Sequence, residues 1–529
     1  MNKPSGRDGR PLCVREENMS DPKLYNAALD LADRHLAEGR GPKLAYIGDD
    51  RELTYAGLVE GTKRVANVLQ GLGVPREARV GVLMLDTVDW PCVFLGAIRA
   101  GIVPVALNTL LTADQYRYML SDSRSQVLFV SSALLPVVEP ILGELPFLKH
   151  VVVAGGDAGK HHSLEALMAA ASAEHEAADT SSDEVAFWLY SSGSTGQPKG
   201  VMHVHRALMD TARTYGAGTL GIREDDVCHS AAKFFFAYGL GNSLTFPLSV
   251  GATVVLNPGR PTPQSVQERL HKHDCTIFFG VPTLYAAMLA DKTITPETGS
   301  KRLAKCISAG EALPPEVSAA WHKRFGVEIW DGIGSTEMLH IFLSNGPHGH
   351  KRGTTGVAVP GYELRVVGEN GEDAADGEIG ELLVSGDSCC NGYWNKREKT
   401  RSTFEGKWAR TGDKYIRDAD GFYQYCGRTD DMFKVSGIWV SPFEVESALV
   451  SHEAVLECAV VAHEDDEGLV KPRAFVVLNE GFVADGLFEV LKEHVKAQAG
   501  PWKYPRWIEF VPDLPKTATG KIQRFKLRS

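Results

Sequence analysis

The 529-residue chain predicts an α/β protein: a large N-terminal domain of α/β layers with an antiparallel β section, followed by a small α+β C-terminal domain. Three observations carry this. Short β-rich runs alternate with helical patterns through most of the chain, the pattern changes at Tyr362, and a further unit begins beyond "GRTDD". The boundary falls between residues 429 and 430, which gives a large domain of 1–429 and a small one of 430–529. The second stretch is long enough for a small domain.

In chain order, "RVGVLML" precedes "WPCVFLGAIRAG", "QVLFVSS" and "HVVVAG" follow, "ATVVLNP" precedes "PTPQSVQERLHKHD", and "TIFFG" precedes "VPTLYAAMLAD". That alternation is the mark of α/β layers with largely parallel strands. From Tyr362, "YELRVVG", "GEIGELLVSG" and "GFYQYCGR" are strands separated by Gly, Asp and Asn turns with little room for helices, hence the antiparallel section. The last unit reads "PFEVESALVSH" as helix, "VLECAVVAHED" and "KPRAFVVLN" as strands, "GLFEVLKEHVKAQ" as helix, and then a basic tail. No repeat of solenoid period is present, and Ala169 to Ser182 reads as a helix end with a loop.

Composition narrows the function classes. With 43% hydrophobic and 23% charged residues the chain is ordinary globular material. A net charge of -11 argues against nucleic acid as the main partner, since phosphate contacts need clustered Lys and Arg. Nine cysteines without a CxxC pair offer neither a zinc site nor a redox motif, and are expected as reduced thiols of a cytoplasmic protein. The polar N-terminus lacks a signal-peptide core. The most apolar region, Val80 to Leu107, is interrupted by Asp86, Asp89 and Arg99, so no membrane span is expected.

Chemistry first surfaces in "YSSGSTGQPKGV", Tyr190 to Val201. A phosphate needs inward backbone N–H groups, which glycine permits, with hydroxyl donors and a cation. Gly193, Gly196 and Gly200 supply turns, Ser191, Ser192, Ser194 and Thr195 hydroxyls, and Lys199 the charge. The spacing is not that of a P-loop, because two residues separate Gly196 from Lys199 and no Ser or Thr follows. A solvated Gly/Ser linker is the alternative. Apolar "VAFWLY" before and amphipathic "VMHVHRALMDTART" after place the loop at a strand-to-helix junction, where phosphate loops sit.

Five further blocks follow: "SAGEALP" (Ser308 to Pro314), "DGIGSTE" (Asp331 to Glu337), "RTGD" (Arg410 to Asp413), "GRTDDMFKVSG" (Gly427 to Gly437) and "PKTATGK" (Pro515 to Lys521). Together, in this order, the six resemble the signature of the adenylate-forming superfamily of acyl- and aryl-CoA synthetases, peptide-synthetase adenylation domains and luciferases. The likeness covers nearly the whole chain and looks closest to benzoate-CoA ligases.

The resemblance implies a two-step enzyme using ATP, Mg2+ and coenzyme A, with a small aromatic carboxylate as substrate and a mobile C-terminal domain. Lys521 would bridge carboxylate and α-phosphate; read alone, it is a solvated lysine of the basic tail. Thr336 would hold the α-phosphate and Glu337 Mg2+, a hard cation that favours oxygen ligands. The loop with Lys199 would take the β- and γ-phosphates. Asp413 would accept the ribose hydroxyls beside Arg428, and adenine would lie against Gly310, Glu311, Ala312, Asp331, Gly332 and Ile333. Many relatives carry an aromatic residue where Ile333 stands. Asp430 matches the hinge, and Gly437 the passage for the pantetheine arm.

For the acid, "KFFFAYGLGN" matches one pocket wall, with Phe236, Ala237 and Tyr238; Ala237 and Gly239 make space beside rings, which suits a flat ligand. Such an aromatic run is also ordinary core material. Ala309, Gly332, Gly334, His340 and Ile341 would complete the pocket, with no Lys or Arg to pair a second substrate charge. Benzoate or a small substituted benzoate is therefore expected, with 4-hydroxybenzoate as the alternative and a homodimer as the candidate assembly. The rivals are a free-standing adenylation domain that loads a carrier protein, a luciferase-like oxygenase for which no residue speaks, and a non-catalytic binding protein. "LGNSL", Leu240 to Leu244, only partly matches a carrier-protein serine motif, and the charged positions of an enzyme are all present.

Overall fold

The structure, a computed structural model, describes residues 24–191, 197–435, 438–465, 469–500, 503–516 and 522–528. Two large sheets form the bulk of the molecule. The nine-stranded sheet runs Val357–Ala358, Ile341–Ser344, Ile329–Gly334, Lys305–Ala309, Ile277–Gly280, Val227–Ser230, Thr253–Val255, Leu44–Ile47, Glu52–Thr54. Its six central strands are parallel, and antiparallel strands finish both ends. The seven-stranded sheet runs His162–Ser163, His150–Ala154, Val127–Ser131, Arg79–Leu83, Val103–Ala106, Val185–Ser191, Lys199–Val204, parallel except for the last strand. Strands such as Val127–Ser131 are buried on both faces. Continuous apolar runs are what two-sided cover requires.

Helices fit these layers through small residues and caps. Tyr55–Gly71 is capped by Thr54, whose hydroxyl accepts from the Gly57 N–H, and packs on Asp89–Arg99. A Cβ on Gly96 would stand 2.7 Å from the Val65 Cβ, so only glycine allows this approach. One apolar core spans both sheets. Trp90 stacks on Phe234 at 4.4 Å and 6°, which ties the "KFFFAYG" segment to it.

The antiparallel section is a five-stranded sheet of Glu363–Val367, Ile379–Ser385, Trp408–Arg417, Phe404–Glu405 and Tyr423–Arg428. The C-terminal unit has a three-stranded sheet, Val455–Glu464, Val470–Leu478, Trp507–Phe510, under helices Pro442–Val450 and Leu487–Ala499. A largely buried ion pair lies within it: Glu446 accepts from Arg524 Nε and Nη2 at 2.7–3.1 Å and from the Val460 N–H at 2.7 Å.

Three local expectations change. The stretch after the Gly/Ser loop does not enter a helix directly, because Lys199–Val204 pairs antiparallel with Val185–Ser191 and the helix starts only at His205. Val201 and Val204 favour the pleated state, and residues 391–394 pair along the other edge, with Met202 N–H donating to Gly392 O at 3.1 Å. Gly200 lies in that strand and makes no turn; its missing Cβ faces the Trp188 ring at 3.2 Å. Gly239 likewise makes room for backbone, not ligand, since a Cβ there would lie 2.0 Å from Lys233 O.

Candidate active site

The chemistry-bearing blocks gather where parallel strands end, the usual place for ligands in open α/β sheets. Lys305–Ala309 and Ile329–Gly334 are register neighbours, with Ser308 opposite Asp331 and Ala309 opposite Gly332. Their exits carry Gly310, Glu311 and Ala312 on one side and Thr336 and Glu337 on the other. Gly310, exposed at φ +95°, turns the chain away from the sheet.

Glu337 is the hub. Its Oε1 accepts from Tyr393 Oη at 2.8 Å and lies 3.4 Å from Ser191 Oγ, and its carbonyl accepts from the Cys390 N–H at 2.9 Å. Lys199 Nζ sits 4.5 Å from the Tyr393 ring centroid. Burial pushes the Lys199 pKa down, and Glu337 partly offsets this. His203, further along the same strand opposite Phe187, has Nε2 at 2.9 Å from Thr336 O. Ser191, Lys199, Thr336 and Glu337 are thus brought together. Ser192, Gly193, Ser194, Thr195, Gly196, Gly437 and Lys521 lie outside the described residues. On either side of the stretch holding Lys521, Lys516 and Ile522 form an antiparallel bridge.

Asp413 and Arg428 face each other across paired strands, and Arg428 Nη1 donates to Asp413 Oδ1 at 2.8 Å. Asp331 is buried with Oδ1 unpartnered, and burial drives its pKa well up. The half-buried Ile333 follows it. Asp430 is exposed between the strands Tyr423–Arg428 and Phe433–Val435.

Among the residues expected to line the acid pocket, Phe236, Ala237 and Tyr238 are half-buried, Ala309, Gly332 and Ile341 buried, and Gly334 exposed. Tyr238 Oη is spent on two carbonyls, Gly280 O and Ile307 O, each at 3.2 Å. His340 is caged by Tyr215, Tyr238 and Phe246, with Nε2 3.2 Å from Tyr238 O and Asn242 Oδ1. Burial pulls its pKa down to about 3, so it is a neutral wall, and Nδ1 has no partner. Ser243 of "LGNSL" is 3% exposed, which removes it as a carrier serine.

The AMP-binding enzyme profile matches residues 34–394, and the AMP-binding enzyme C-terminal domain matches 444–521. The chain belongs to the AMP-binding enzyme family. Within it, the chain is 57% identical to a benzoate–CoA ligase of Thauera aromatica over 96% of both chains. It is 56% identical to a 4-hydroxybenzoate–CoA/benzoate–CoA ligase of Rhodopseudomonas palustris, over 95% of this chain and 94% of the other. Among solved structures, a benzoate CoA ligase of Burkholderia xenovorans LB400 matches with TM-score 0.89 and 50% identity, covering 96% of this chain and all of the other.

Sequence reasoning missed Tyr393, His203 and the Cys390 amide. Their signal was weak, since "CCNGYW" carries no motif of phosphate chemistry and His203 lay inside a presumed helix.

Proposed function

We propose that this AMP-binding enzyme is an aryl-CoA ligase that converts benzoate, ATP and CoA to benzoyl-CoA, AMP and diphosphate. The observation that carries the substrate is an uncharged aromatic wall, with His340 neutral, in a chain that shares 56–57% identity with ligases named for benzoate. The benzoate oxygen attacks the α-phosphorus, the Pα–O–Pβ bond breaks and diphosphate leaves. The CoA thiolate sulfur then attacks the acyl carbon, and AMP leaves with the C–O bond electrons.

Lys199 is proposed to offset charge on the outer phosphates and Thr336 to donate to the α-phosphate, both fixed before charge develops. The donor set fits Mg2+: an oxygen carboxylate, Glu337, held by the hydroxyls of Tyr393 and Ser191. One carboxylate plus substrate phosphates is how such sites are commonly made. When bound, the ion supplies charge neutralisation at phosphate oxygens. Asp413 is proposed for the ribose, and the unpartnered Asp331 Oδ1 supports an adenine site. Lys521 is proposed as the adenylating cation and Asp430 as the hinge that removes it for thioesterification.

A second reading, acceptance of 4-hydroxybenzoate, is favoured by the unpartnered His340 Nδ1, a buried acceptor for a ring hydroxyl. Purified protein given ATP, Mg2+ and CoA with benzoate, 4-hydroxybenzoate, cyclohexane carboxylate or fatty acids should release AMP fastest with benzoate. No AMP with benzoate overturns the proposal.

A further inference from the structure

His203 is fully buried, its ring lies parallel to Phe187 at 5.0 Å and 17°, and burial pulls its pKa down to about 3. A neutral imidazole has one N–H. Because Thr336 O can only accept, that hydrogen is on Nε2, at 2.9 Å, and Nδ1 is left buried without a partner. A leucine would pack against Phe187 without stranding a polar nitrogen. The one bond that His203 makes is therefore the feature that distinguishes it from an apolar filler.

That bond joins two sheets. His203 belongs to the last strand of the seven-stranded sheet, which begins at Lys199, whereas Thr336 lies on the exit from the nine-stranded sheet. The same strand is paired along its outer edge by 391–394, the segment from which Tyr393 reaches the Glu337 carboxylate. Main chain at 336 is thus fixed by His203, main chain at 337 by the Cys390 N–H, and the carboxylate by Tyr393.

We infer that His203 is a positioning residue for adenylation: its Nε2–H holds the Thr336 carbonyl so that the Thr336 hydroxyl and Glu337 carboxylate keep register with Lys199 across the phosphate site. This rests on the proposed roles of Thr336 and Glu337. Misplacing a catalytic group by about 1 Å costs on the order of 100-fold.

The test compares H203L, H203M and H203Q, alone and with T336A, by ATP-dependent adenylation of benzoate, by calorimetric affinity for AMP, and by thermal unfolding. H203L and H203M should lower kcat/KM for ATP by roughly 10–100-fold and weaken AMP binding. Glutamine can present an N–H near the position of Nε2, so H203Q should stay within about 3-fold of the parent, and its rate profile between pH 6 and 9 should be unchanged, as expected of a group that is neutral there. In the T336A background, H203L should cost clearly less than in the parent, because the share of its effect that acts through the Thr336 hydroxyl is already gone while the share through Glu337 remains. Equal losses in H203Q and H203L, or full additivity with T336A, overturn the inference. A T336A enzyme with parental rate and AMP affinity instead overturns the site reading on which it rests.

Discussion

Asp86 shows how a single buried group couples to pH. Its Oδ1 has no partner, burial pushes its pKa up to about 6, and the nearby Lys233 opposes that shift. A carboxyl whose folded pKa exceeds its unfolded value of about 3.9 holds its proton more tightly when folded. The stability this gives is complete below pH ~4 and is lost as pH rises through about 6. Asn mimics the protonated form, so D86N should raise the unfolding temperature at pH 8 by roughly 2–4 °C and give no gain at pH 4. Lys233 keeps Asn257 O and Gly259 O as acceptors in the variant. Scanning calorimetry at the two pH values checks this, and an equal gain at both would place the cost of Asp86 elsewhere than in its charge. Sequence reading saw Asp86 only as an interruption of an apolar run, because burial and the absent partner exist only once Lys233 and Phe234 fold over it.

Strands and turns place what single residues cannot. The irregular pairing of Ile329–Gly334 with Ile341–Ser344 aims Thr336 and Glu337 from one strand and His340 from the turn before the next. A Cβ on Gly334 would meet His340 O at 2.5 Å and Ile341 N at 2.8 Å, backbone atoms that cannot swing aside. G334A should therefore slow adenylation by roughly 100-fold while the chain still folds, read by AMP release beside circular dichroism. A parental rate would mean that the strand tolerates the shift. The motif order disclosed "DGIGSTE" as a site segment but not why glycine stands at 334. The opposing backbone comes from residues that no local pattern pairs with it. Lys199–Val204 teaches the same lesson: "VMHVHRALMDTART" has helical periodicity, yet pairing on both edges turns its first part into a strand.

Across the whole molecule, the C-terminal unit meets the large domain through Lys434 with Glu369, at 3.0 Å, and through Tyr425 against Phe443, at 5.6 Å between ring centroids. If Lys521 adenylates and then leaves by rotation about Asp430, K521A should lose at least about 100-fold in adenylation but keep thioesterification of supplied benzoyl-adenylate within a few-fold. Stopped assays of the two half-reactions separate these outcomes, and equal loss in both would argue against the rotation. The α/β class, the antiparallel section, the C-terminal unit and the order of the six blocks could all be read from the chain, because strand and helix periods and glycine-rich turns are local properties. The hairpin at Lys199, the hydroxyl of Tyr393 on Glu337, the imidazole of His203 on Thr336 and the neutral state of His340 could not. Each depends on which distant backbone or side chain arrives beside it, and on how much water that arrival excludes.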